Sequence, residues 1–284
     1  MNIGIVGHGI VGSALSHVFK KTHPLYIYDR YKKEYQNLTD LVNYSDFIFI
    51  CVPTPMRETG EIDLSYVEDS LDSISKEADK LQKKDLIVII KSTVLPGTTE
   101  DLSKKYENFK LIFNPEFLTE RNFLNDMEKT DRVIIGAKNS AGEKLVSLYK
   151  TIFKDAKYLL LEPREAEMVK YASNILLASQ ISMANEIYNI CLLLGINYNK
   201  VKEAVLLDKR IGSHINVPGN DRDFGFGGKC LPKDLNALMQ LAKEKGYSPN
   251  LLEEVWRSNL KFRKRKDWLE IKGATSQNSF RSIG

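Results

Sequence analysis

Asn2-Ile3-Gly4-Ile5-Val6-Gly7-His8-Gly9-Ile10-Val11-Gly12 is the stretch on which the fold turns. A short apolar run of strand length leads into Gly-x-Gly-x-x-Gly, and a helical segment follows. The glycine spacing alone is weak evidence; its place between a strand and a helix gives it meaning. Gly7 permits a tight turn, Gly9 lets the backbone approach a pyrophosphate, and Gly12 lets helix pack on strand. Ile10 and Val11 open the helix, whose positive N-terminus faces the phosphates.

Working outward, the second strand, Leu25–Tyr28, ends at Asp29, where an acid that binds adenosine ribose hydroxyls is expected. Its charge disfavours a ribose phosphate and favours NAD over NADP, while Arg30 beside it is of the type that holds such a phosphate. Further strands are expected at Phe47–Val52, Leu86–Ile90, Lys110–Phe113, Arg132–Ile135 and Tyr158–Leu161. Amphipathic segments such as Tyr66–Leu81 and Ala141–Phe153 lie between them. Strands that are apolar throughout and alternate with helices imply an α/β domain with a doubly wound, mostly parallel, Rossmann-like sheet. Val52-Pro53-Thr54 closes the third strand at the rim where such sheets bind ligands.

After Pro163 the character changes. Residues 164–194 contain neither Gly nor Pro and repeat apolar positions at helical spacing, which reads as one long helix stopped by Gly195. Helices are also expected over Asn199–Leu206, Pro232–Lys245 and Pro249–Lys266. The division is therefore a dinucleotide-binding domain, 1–162, an all-helical substrate and dimerisation domain, 163–270, and a polar tail, 271–284. The long helix is apolar on more than one side, which implies burial on more than one side and a homodimer.

A charge of +4, from 41 basic and 37 acidic residues, is too small to suggest nucleic acid. Three cysteines without paired spacing form neither a disulfide framework nor a zinc site, so no metal is expected. No signal sequence and no apolar run of about 18 residues is present, which points to a cytoplasmic protein without a membrane span.

Phe224-Gly225-Phe226-Gly227-Gly228-Lys229-Cys230-Leu231-Pro232-Lys233-Asp234 carries the most chemical information. The glycines make a loop on which a substrate can lie close to backbone amides. Pro232 is expected to start a helix, so Cys230 sits just before a helix N-terminus between two lysines. Both features favour the nucleophilic thiolate. Cys51 reads as a buried strand residue and Cys191 as a helix-core one. The run 263–266 reads as a solvated helix end.

Several motifs, in this order, resemble those of the UDP-glucose/GDP-mannose 6-dehydrogenase family. They are the glycine turn, Val52-Pro53-Thr54-Pro55, Ser92-Thr93-Val94-x-Pro96-Gly97-Thr98, Asn114-Pro115-Glu116-Phe117-Leu118-Thr119-Glu120, Glu167-x-x-Lys170-Tyr171-x-x-Asn174, Asp208-x-Arg210-Ile211-Gly212, and the cysteine segment. The resemblance implies that Cys230 is the nucleophile and that Lys170 and Asn174 stabilise an oxyanion at sugar C6. It implies that Asp234 orients a water or Lys170, and that Thr93 and Glu120 position and activate the hydrolytic water. Thr54, Thr93, Glu116 and Lys233 would join the cofactor site. Phe117, Leu118, Glu120, Arg210, Phe224, Gly225 and Gly227 would contact the nucleotide-sugar, with Arg210 reaching a neighbouring subunit's substrate. The reaction implied is a two-step oxidation of the C6 alcohol to a carboxylate through a thiohemiacetal and a thioester on Cys230, with UDP-glucose the leading substrate.

Two departures accompany the resemblance. Relatives carry a third, C-terminal α/β domain, and here the chain stops after the helix leading to it. The loop Pro218–Asp223 is also longer than the common pattern, beside the expected sugar site. A single-step β-hydroxyacid-type dehydrogenase and a non-catalytic NAD-binding assembly protein are the competing readings; the cysteine segment argues against the former.

Overall fold

The computed structural model describes residues 1–137, 139–212 and 214–276, which divide into two compact units. The first unit holds 1–54 and 64–170, and the second holds 55–63 and the chain from Tyr171 onward. The cut falls at 170/171, within the long helix, whereas the sequence reading divided the chain at 162/163, where that helix begins. The excursion 55–63 into the second unit has no signal in the sequence.

In the first unit seven strands form one sheet: β1 Ile3–Val6, β2 Leu25–Tyr28, β3 Phe47–Ile50, β4 Ile87–Ile90, β5 Lys110–Phe113, β6 Arg132–Gly136 and β7 Lys157–Leu161. Their order is β2-β1-β3-β4-β5-β6-β7, and every neighbouring pair is parallel except β5 with β6. The Rossmann-like fold expected from the alternating pattern is thus present. β1, β3 and β4 are buried at every position because helices cover both faces. The order reverses between β1 and β3, the switch point at whose carboxyl ends such sheets bind ligands.

Among the described residues six helices connect the strands: α1 Ile10–Phe19, α2 Leu38–Tyr44, α3 Ser65–Lys80, α4 Thr98–Lys105, α5 Phe123–Glu128 and α6 Ser140–Lys150. The long helix is α7, Pro163–Leu193. Glu167 near its start accepts hydrogen bonds from the Gly97 and Thr99 amides and the Thr99 hydroxyl, and so caps α4.

The second unit carries α8 Tyr198–Val205, α9 Cys230–Glu244 and α10 Asn250–Phe262, all close to their expected spans. One apolar cluster gathers Ala184, Cys191, Tyr198, Ile215 and Val217; another gathers Met56, Trp268 and Ala274. Of the tail expected at 271–284, residues 277–284 lie outside the described residues. The rest is not loose: Ala274 is buried, Thr275 bridges Met56, and the Ser276 amide donates to the Met56 carbonyl. Among the described residues no helix is long and apolar enough to cross a membrane.

Two glycines set the helix–strand crossings. A Cβ at Gly12 would lie 2.0 Å from the Gly7 carbonyl oxygen, and a Cβ at Gly142 would lie 2.1 Å from the Ala137 carbonyl oxygen. The same five-residue offset serves β1–α1 and β6–α6. Gly142→Ala is expected to lower unfolding stability by about 1–3 kcal/mol through this overlap. Chemical denaturation of the variant checks it, and a change within experimental error overturns the crossing argument.

Candidate active site

The first unit builds a nucleotide crevice. Gly7, at φ +90°, turns the chain after β1, and a Cβ there would meet the Cys51 carbonyl oxygen at 2.7 Å. Gly9 is exposed and a Cβ on it would meet nothing within 4 Å, so the turn is open on the side a ligand approaches. No side chain caps α1 and its first turn holds no acid, which leaves its electropositive end facing that space. Asp29 is fixed at the crevice edge: its carboxylate accepts from the His8 amide at 2.8 Å and the Tyr31 amide at 2.9 Å. Arg30 pairs with Asp69 at 3.3 Å. Gly7, Asp29, Arg30, Val52 and Pro53 border a cavity of about 70 Å³. These features fit a dinucleotide with unphosphorylated adenosine ribose.

Behind the rim lies a polar cluster of which the motifs contain Asn114 and Glu116 but neither Lys91 nor Tyr149. Lys91, directly after β4, is buried and donates to Asn114 Oδ1 at 2.8 Å and the Pro115 carbonyl at 3.0 Å. Asn114 Oδ1 also accepts from the Tyr149 hydroxyl, and its amide donates to the Ile134 carbonyl. Burial pushes the Lys91 ammonium down to about 8, partly offset by Cys51 and Glu116. The Cys51 thiol is pushed by burial up to about 12, which supports its reading as a structural cysteine. Lys170, from α7, reaches the same segment and donates to the Glu116 carbonyl at 2.8 Å and its carboxylate at 2.9 Å. Burial raises the Glu116 carboxyl, but the Lys170 charge and the Leu118 amide outweigh it and hold it below the usual glutamate value. A cavity of about 280 Å³ runs past Lys91, Glu116, Phe117, Leu118 and Arg132. Thr93 is half-buried, Thr54 buried and Glu120 exposed.

The second unit builds the thiol end. Cys230 is exposed and is itself the first residue of α9, with Lys229 as N-cap. The helix starts two residues earlier than expected, and Pro232 sits in the first turn, where its missing N–H costs nothing. Cys230 is thus in the first turn rather than just ahead of it. Asp234, buried, accepts from Asn174 and pairs with Lys233, so these three side chains form one cluster. Lys233, expected at the cofactor, donates to Asp234. Arg210 is exposed and chelates Asp208 through two nitrogens.

The glycine loop differs from its sequence reading in one respect. The Gly225 amide donates to Asn185 Oδ1, the Phe226 amide to Asn259 Oδ1, and the Gly228 amide to Asp267 Oδ2. These amides are occupied by the protein itself. Arg263, read as part of a solvated basic run, is buried and paired with Asp221 and Asp267. Lys91, Asn185, Asn259 and Arg263 are buried polar residues that no local spacing marks. Among the described residues no acidic, His and Cys cluster has metal-binding geometry.

Comparison with known proteins matches residues 28–154 to the UDP-glucose/GDP-mannose dehydrogenase family, NAD binding domain, and residues 164–261 to the central domain of that family. A UDP-glucose 6-dehydrogenase from Rickettsia prowazekii is 36% identical over 235 residues, which are 81% of this chain and 51% of that protein. UDP-glucose 6-dehydrogenase TuaD from Bacillus subtilis is 36% identical over 234 residues, 80% of this chain and 49% of its own length. The structure of a UDP-glucose dehydrogenase from Pyrobaculum islandicum superposes with a TM-score of 0.82 at 33% identity, covering 92% of this chain and 68% of that one. The chain spans about half the length of the curated relatives it matches.

The buried Lys91 makes a pH prediction. Its folded value lies below its ordinary 10.5, so unfolding takes up a proton between pH 8 and 10.5. The burial penalty is complete below pH 8 and is relieved as pH rises through that window. Relative to Lys91→Met, the parent should gain about 3 kcal/mol of stability from the lower to the upper limit. Denaturant melts of both proteins at the two limits measure this; a constant difference would mean that Lys91 titrates as if exposed.

Proposed function

The chain belongs to the UDP-glucose/GDP-mannose dehydrogenase family, and from that premise we propose that it is an NAD-dependent nucleotide-sugar 6-dehydrogenase that converts UDP-glucose to UDP-glucuronate in the cytoplasm. The observation that carries the reading is an exposed thiol in the first turn of α9, flanked by Lys229 and Lys233.

When bound, NAD accepts a hydride from the C6 carbon in each of two oxidations. The chain's residues do the rest. Gly7, Gly9, Ile10, Val11 and Gly12 hold the pyrophosphate against α1, and Asp29 holds the adenosine ribose, with Val52, Pro53, Thr54 and Thr93 along the rim. Lys170 and Asn174 stabilise the C6 alkoxide, then the oxyanion of the adduct. The Cys230 thiolate adds to the aldehyde carbon, giving a thiohemiacetal whose oxidation leaves a thioester. Thr93 and Glu120 position the water that attacks the thioester and releases carboxylate and thiol. Asp234, fixed by Lys233, orients Asn174, and Glu116 orients Lys170. Phe117, Leu118, Phe224, Gly225 and Gly227 line the sugar's path, and Arg210 is exposed enough to serve a neighbouring subunit.

A dimer is part of the proposal. Leu176, Met183, Ile187, Ile190 and Leu194 are exposed along α7 and just beyond it, at intervals of seven, four, three and four. That is the seam of a helix pair. Light scattering at micromolar concentration should give twice the 32.4 kDa chain mass, and Met183→Glu with Ile187→Glu should give the monomer. A monomeric parent counts against the seam.

The chemistry is tested by mixing the parent and Cys230→Ser with UDP-glucose and NAD and following NADH and product mass. The parent should release two NADH per carboxylate. In Cys230→Ser carboxylate output should fall at least about a hundredfold, roughly 3 kcal/mol of barrier, while aldehyde or a trapped ester accumulates. Undiminished carboxylate from the serine variant refutes the covalent route. One NADH per sugar would favour the single-step reading, and none with any UDP- or GDP-sugar the non-catalytic one.

A further inference from the structure

The glycine loop before Cys230 is shaped from beneath. The Arg263 side chain is only 2% exposed, although it opens a run of four basic residues. Its Nη2 lies 2.7 Å from Asp221 Oδ2 and 2.9 Å from Asp267 Oδ2, and its Nε donates to the Arg265 carbonyl at 2.9 Å. Nη1 reaches the Phe224 carbonyl at 3.4 Å. Asp267 Oδ2 in turn accepts the Gly228 amide at 3.1 Å, two residues before the thiol. The neighbouring Asp223 carboxylate accepts the Phe224, Lys264 and Arg265 amides, so the long loop 218–223 is tied to the 263–267 segment at two points.

The glycines fit this support closely. A Cβ at Gly227 would stand 2.0 Å from Arg263 Nη2 and 2.4 Å from Asp267 Oδ1. A Cβ at Gly225, which has φ +65°, would stand 2.2 Å from Asn259 Oδ1. Side-chain-free positions are therefore required where the guanidinium, the carboxylate and the Asn259 amide press against the loop.

We propose that Arg263, braced by Asp221 and Asp267, is the positioning residue for the loop that presents Cys230, and that Gly227 is a glycine because this brace lies against it. This rests on the reading of Cys230 as nucleophile and adds the element that aims it. Arg263 touches neither sugar nor cofactor; it acts through the backbone of 224–228. Loop 218–223 takes part in the brace, since it supplies Asp221 to the guanidinium. A lysine in place of Arg263 keeps the charge but lacks the planar fork that serves two carboxylates and two carbonyls together.

The test needs no turnover. The rate of Cys230 alkylation by iodoacetamide is followed across pH by peptide mass in the parent, Arg263→Lys, Gly227→Ala and Asp221→Asn. Circular dichroism and NAD affinity report folding and the separate nucleotide site. In Arg263→Lys and Gly227→Ala the alkylation rate or its pH midpoint should change at least about threefold, with NAD affinity unaltered. Sugar oxidation should lose about tenfold or more in kcat, the scale expected of a misaimed reacting group. Asp221→Asn, at a half-exposed carboxylate, should show the same effects in smaller measure, and it carries the test if Arg263→Lys fails to fold. Folded variants whose alkylation profile matches the parent overturn the proposal. Cys230→Ser run alongside separates the two ideas: carboxylate at the parental rate there defeats the thiol reading, while the alkylation comparison still judges Arg263.

Discussion

Glu167, Lys170, Asn174, Ser182 and Asn185 place five buried polar side chains on α7. At 100° per residue they fall within about 120° of arc, a buried polar stripe along the helix. Leaving any of them without a partner would cost about 1–3 kcal/mol, more for the charged ones. The need to satisfy this stripe determines much of what surrounds it. Glu167 finds the bare amides at the start of α4, and Lys170 finds Glu116. Asn174 finds Asp234, and Asn185 finds the Gly225 amide. The helix is in this sense a template, with its partners arranged to meet it.

The same logic explains why Glu116 and Asp234 are rigidly held. Glu116 is gripped on one side by Lys170 and on the other by the Leu118 amide, and the preceding Asn114 and Pro115 are gripped by Lys91. Few torsions remain to be fixed when a substrate arrives, which is the condition for electrostatic stabilisation at low reorganisation cost. Asp234 is held likewise between Asn174 and Lys233.

How much of this was legible depended on distance along the chain. The strand spans, the glycine turn and α7 came through to within a residue or two, because hydrophobic period and glycine placement are local signals. The short helices α2, α4 and α5 did not, although α8, no longer than α4, did. The start of α9 was misplaced because Pro232 was read as the first helical residue, whereas a proline is equally acceptable deeper in the first turn. The partners of the buried polar groups were out of reach altogether: Lys91 meets Asn114 across 23 residues, Gly97 meets Glu167 across 70, and Asn185 meets Gly225 across 40. Arg263 shows the same limit, because a basic run on a helix end looks solvated until its two aspartates are located.

The Asp29 carboxylate has a further consequence. One oxygen accepts the His8 amide and the other the Tyr31 amide, while Lys32 Nζ closes onto the His8 carbonyl and Gln36 ties Asp29 to Lys32 through their carbonyls. The carboxylate is thereby locked in orientation by the same turn that carries Gly7 and Gly9. A dinucleotide entering this crevice meets a surface whose conformational entropy has already been surrendered during folding, so little of its binding energy is consumed in ordering the protein. A carboxylate anchored at both oxygens is also held from swinging aside.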